Sequence, residues 1–134
     1  VNRNVRGGLV LLPLGLLAGL AMSLYAFQPL VTPPAGLDRY DDLPRRLLRL
    51  GHIAAIMLPL INIVVGPWID RLALGRRARG LTSGLLLFGA AALPAALWIQ
   101  AFRPELHLAA LPAVAFTAGA SILALGALPR SAAP

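Results

Sequence analysis

Residues 51–69 read GHIAAIMLPLINIVVGPWI, nineteen positions without an acid, a lysine or an arginine. A helix rises 1.5 Å per residue, so a run of this length covers most of the ~30 Å hydrocarbon core of a bilayer. The eight residues before it, LPRRLLRL at 43–50, put arginines and leucines on opposite sides of a helix. Such a segment is expected to lie in the membrane interface until the chain turns inward at Gly51. Asp41 or Asp42 is suited to cap it, and Pro44 is tolerated in a first turn that needs no backbone donor.

Three further apolar runs lie at about 8–27, 81–102 and 106–128. Of the 134 residues, 58% are hydrophobic and 13% charged, against about a quarter charged in a soluble domain. The reading is all-α: an integral membrane four-helix bundle, with a short interfacial amphipathic helix before the second transmembrane helix, in a single membrane domain over 1–134. The first run follows arginines as a signal peptide would. It is long for that role and lacks a small-x-small cleavage site, so it is read as a retained helix. Between the first two runs, residues 28–41 hold Pro29, Pro33, Pro34 and Gly36, which forbid regular helix. That loop is long enough to fold over the bundle end or to touch a partner.

All twelve basic residues are arginine, and the net charge is +7. In a soluble protein this would suggest nucleic acid. Here the arginines cluster at the ends of apolar runs, where topology control and lipid phosphate account for them. Nucleic acid is therefore not expected as a partner, and anionic lipids are expected at Arg45, Arg46 and Arg49. The side holding both termini carries seven arginines and the opposite side five, which places the termini in the cytoplasm. The Arg, Ala, Leu, Gly and Pro bias points to a GC-rich bacterial genome and hence to a bacterial inner membrane. Cysteine is absent, which excludes a disulfide scaffold, thiolate metal sites and the four-helix quinone-linked thiol oxidoreductases.

Small residues at four-residue spacing let helices approach closely. Gly15, Gly19 and Ser23 form one such series, and Ala109, Ala113, Thr117 and Ser121 form another, expected to face a neighbouring helix. Each run also contains a proline, Pro13, Pro59, Pro94 or Pro112. These free the carbonyls of Leu9, Ala55, Ala90 and Leu108 from their helical donors.

The two histidines, His52 and His107, open the second and fourth runs and so belong to one leaflet. Paired imidazoles on two helices are what a bundle uses to ligate b-type haem. Arg45 and Arg49 on the broad face of His52 would then hold the propionates. The plainer alternative is that headgroups or backbone carbonyls satisfy both rings. Asn62 is the most buried-looking polar side chain and needs a partner, either a proline-freed carbonyl or a group such as Thr117. No Asp, Glu or Lys falls inside a run, unlike small drug exporters of this size, which depend on a membrane-embedded glutamate. No hydrolase, zincin or phosphate-loop motif occurs.

These features lead to a non-enzymatic accessory subunit of a larger bacterial membrane complex of respiratory or photosynthetic type, with other membrane subunits as partners. The alternatives are a single-haem electron-transfer subunit ligated by His52 and His107, and a small transporter or channel using Asn62, Thr117 and Ser121.

Overall fold

A computed structural model describes residues 2–26, 30–33, 36–37 and 39–128. Four helices, each long and apolar enough to cross a membrane, pack together: α1 (Arg3–Ala26), α2 (Leu43–Ile69), α3 (Arg76–Phe102) and α4 (Ala110–Ala127). No strand occurs among the described residues. The chain is a multi-pass, all-helical membrane protein. Helices α2 and α3 form the inner pair, α1 lies along α2 and touches α3, and α4 packs chiefly on α3.

Helices α1, α2 and α3 start earlier than their apolar runs do. Asn2 caps α1, its Oδ1 accepting the Asn4 backbone N–H at 2.8 Å, so the first helix begins at Arg3 and not near Gly8. α3 begins at Arg76 because arginine is a good helix former, and Arg79 folds back to donate to the carbonyls of Leu74 and Leu72 at 2.9 and 3.4 Å. The amphipathic stretch 43–50 is continuous with the second span: α2 runs unbroken through Gly51. Gly51 serves packing instead of a turn. A methyl group there would stand 2.5 Å from the Trp98 indole, which fills the space and donates to the Leu48 carbonyl at 3.3 Å. With 27 residues each, α2 and α3 reach about 40 Å and overshoot the hydrocarbon core at their arginine-bearing ends. Asp42 occupies the N-cap of α2 without a side-chain bond, and Pro44 sits in the first turn.

The fourth helix starts later than its apolar run. Residues Pro104–Leu106 form a 3₁₀ turn, and His107 follows in the left-handed region at φ 45°. That conformation stops an α-helix from propagating through it, so α4 begins at Ala110. Pro112 thus falls in the first turn of α4 and interrupts nothing.

Glycine sets the helix spacing. Pro59 leaves the Ala55 carbonyl without its helical donor, and a methyl group at Gly15 would stand 2.3 Å from that oxygen. Only a Cα–H fits there, and it supplies a weak Cα–H···O contact. Gly8 makes a similarly close approach to the Pro59 carbonyl, at 2.6 Å. On the other flank, Gly119 seats α4 on Leu85 and Leu86, and Gly89 receives Phe116.

The Ala109–Ser121 stripe is not the contact face of α4 within the chain. Pro112, Ala115 and Gly119 are buried, while Thr117 and Ser121 are exposed. Their hydroxyls donate to the Ala113 and Thr117 carbonyls, each at 2.9 Å. Satisfied within their own helix, they need no neighbouring one.

Candidate functional site

The end of the bundle formed by the C-terminus of α1 and the N-terminus of α2 holds most of the residues singled out for chemistry. Leu37, 1% exposed, packs with Leu48 and Ala101 beneath Met22, Tyr25, Leu47 and Trp98. Leu37, from the connection between α1 and α2, therefore anchors at the bundle end.

Arg45 ties this end together. Its Nη2 donates to the Ala26 and Tyr25 carbonyls at 3.0 and 3.4 Å, and its Nη1 to the Leu37 carbonyl at 3.3 Å. The last carbonyls of α1 have no helical donors and carry the negative end of its dipole, so a guanidinium there both caps and neutralises. Arg49, one turn on, lies with its guanidinium carbon 3.8 Å from the centroid of the Tyr40 ring, a cation–π contact from the connecting loop.

His52 is half-buried and lies against α1. A methyl group at Gly19 would stand 2.2 Å from His52 Nε2, so Gly19 is the recess that accepts the imidazole. Arg45, Arg49, His52, Tyr40, Met22 and Ser23 line a pocket of about 190 Å³. Ser23 donates to the Leu20 carbonyl at 2.7 Å. No acid lines this pocket among the described residues.

His107 is at the same end of the bundle, because the last turns of α3 pack on the first turns of α2. It is exposed, on the turn between α3 and α4, and it does not line the His52 pocket. A bis-imidazole haem needs both rings on one iron. The structure offers one imidazole, a pocket below the ~300–1,000 Å³ of drug-sized ligand sites, and an Arg45 committed to backbone carbonyls. The residues present do not fit haem b held by His52 and His107. Among the described residues no group of three or more His, Cys, Asp or Glu side chains gathers to hold a metal ion.

The second polar cluster sits nearer the opposite end. Asn62 and Asn4 are fully buried, and Asn4 Nδ2 donates to Asn62 Oδ1 at 2.6 Å. Asn62 Nδ2 donates in turn to the Leu58 and Leu86 carbonyls at 3.0 and 3.3 Å. Ser83 Oγ donates to Asn4 Oδ1. Asn62 is thus satisfied by Asn4, which precedes the first apolar run, and by the Leu58 and Leu86 carbonyls, and neither by Thr117 nor by a proline-freed carbonyl. The Asn2 cap was the available signal. Asn62, Thr117 and Ser121 do not converge, the first being enclosed by α1, α2 and α3 and the others lying on the outside of α4. Comparison of the chain with protein-family models, with curated proteins and with solved structures gives no match.

Proposed function

We propose that this chain is a non-enzymatic accessory subunit of a larger complex in a bacterial inner membrane, of respiratory or photosynthetic type, with both termini cytoplasmic. The carrying observation is how unevenly the chain encloses its own helices. Within the apolar span of α1 only 6% is buried and of α4 17%, against 39% for α3. Each outer helix spends one glycine-bearing strip on the inner pair and turns an apolar surface outward, including Leu9, Val10, Leu16 and Leu20 on α1 and Leu111, Val114 and Leu125 on α4. Of the polar groups inside, Asn4, Asn62 and Ser83 bond to one another and lock three helices together, while the Thr82 hydroxyl is buried without a hydrogen-bond partner among the described residues. This supports a role in packing beside larger subunits over one in moving substrates or electrons.

Extraction from native membrane in a mild detergent, followed by native mass spectrometry, tests the reading. The chain is expected to migrate with larger membrane proteins at fixed stoichiometry. A monodisperse, isolated monomer under those conditions would overturn it.

A further inference from the structure

We infer that the pocket between the C-terminal turns of α1 and the N-terminal turns of α2 binds the phosphate of an anionic phospholipid, with Arg49 as its principal ligand and His52 as a second donor. The four arginines on this side of the first connection and α2 are not equivalent. Arg45 is spent on three carbonyls, and its charge offsets the negative end of α1. Arg49 has no hydrogen-bond acceptor among the described residues, only the Tyr40 ring beneath it. Stacking on an aromatic face immobilises a guanidinium and leaves its edge N–H groups free, the geometry that grips phosphate bidentately. His52, three residues further along α2, lines the same pocket without a hydrogen-bond partner among the described residues.

The surroundings select a lipid. The pocket opens at the level where helix ends meet headgroups, no acid among the described residues lines it against its positive charge, and Met22 and Gly19 continue it down the α1–α2 groove on apolar surface. A headgroup phosphate would meet Arg49 while its acyl chains follow that groove. This assignment stands apart from the accessory-subunit reading, since it requires no partner protein.

The test titrates the purified full-length protein in detergent with phosphatidylglycerol, with phosphatidylcholine and with inorganic phosphate, counting bound lipid by native mass spectrometry and following the thermal midpoint. One phosphatidylglycerol is expected to bind in preference to phosphatidylcholine and to raise the midpoint, with inorganic phosphate displacing little of it. Arg49→Gln is expected to weaken binding tenfold or more, whereas Arg46→Gln, which removes an equal charge one turn away, from a neighbouring groove that Arg49 also lines and His52 does not, weakens it less than threefold. Equal losses in the two variants would reveal diffuse attraction to a basic surface and overturn the site, as would unchanged binding in Arg49→Gln. Full displacement by inorganic phosphate would overturn the lipid as its source. If Arg49→Gln does not fold, Arg49→Lys carries the test: it keeps the charge but not the planar fork, so a several-fold loss is expected and unchanged affinity overturns the proposal.

Discussion

At the scale of single residues, the close approach of α1 to α2 rests on missing side chains. A methyl group at Gly15 would meet the Ala55 carbonyl carbon at 2.7 Å as well as its oxygen, and backbone cannot swing aside as a flexible side chain does. Gly15→Ala should destabilise the fold by about 1–3 kcal/mol, the usual cost of overpacking. Gly80, also inside a helix, has open space around it. There the same change removes only glycine's helix penalty and should stabilise by up to ~1 kcal/mol. Unfolding of both variants in mixed detergent micelles checks the pair, and a matching sign would refute the packing account. Outside the membrane spans, Arg103 Nε donates to Glu105 at 2.5 Å and holds that carboxyl below its ordinary range. A depressed folded-state value means that the favourable pairing is present above the unfolded carboxylate range and fades as pH falls through the folded one. The pair is exposed, so its signature is a titration and not a stability change. A carbon-detected NMR titration should show Glu105 protonating at lower pH than in Arg103→Gln.

At the scale of elements, the three-helix lock makes a separate prediction. Asn62→Leu removes the acceptor of Asn4 and two donated bonds, and Asn4→Leu removes the other half. Buried polar pairs between membrane helices contribute about 0.6 kcal/mol on average and up to ~2 kcal/mol. A double-mutant cycle on Asn4 and Asn62 should therefore return a coupling of about 1 kcal/mol, and a value near zero would show the two amides to be independent. This lock also shows which elements the sequence reveals. Four spans were legible because hydrocarbon thickness demands long uncharged runs, and the 51–69 segment alone already satisfied that demand. Helix ends were not legible. Arg76–Arg79 and Arg3–Arg6 propagate helix as readily as leucine does, and hydropathy sees them only as charge. That is why hydropathy places Asn4, one of the most buried polar residues, outside the first apolar run. Conversely, leucine and alanine at 106–109 looked helical until the left-handed His107 broke the run. Facing was the least legible property. Ala109–Ser121 and Pro112–Gly119 are both small-residue series, and nothing in spacing distinguishes the one that meets Leu86 from the one that meets the outside.

At the scale of the whole molecule, orientation is the property on which the site's accessibility depends. The Arg49 pocket, His52 and His107 share one end with the 39–42 connection, while the α2–α3 loop lies at the other. The chain has no cysteine, so a single introduced thiol reports without background. Asp41 is exposed, and Gly75 has open space around it with φ −65°, a conformation any residue adopts. Neither substitution alters an arginine. With the termini cytoplasmic, a membrane-impermeant maleimide should label Asp41→Cys in spheroplasts and label Gly75→Cys only after permeabilisation. The reverse pattern would turn the molecule over and put the phosphate pocket in the cytoplasmic leaflet, without disturbing its geometry. The physical cause can be tested in the same assay. The termini side exceeds the other by seven arginines to five, and Arg76 and Arg77 are exposed residues of the first turn of α3 whose side chains bond to none of the described residues. Changing both to Gln in the Gly75→Cys background abolishes the excess that sets orientation. A mixed population is then expected, with part of the Gly75→Cys signal appearing before permeabilisation. Complete retention of protection would mean that some feature other than arginine count, such as the capped Asn2 start or the buried loop residue Leu37, holds the helices in their orientation.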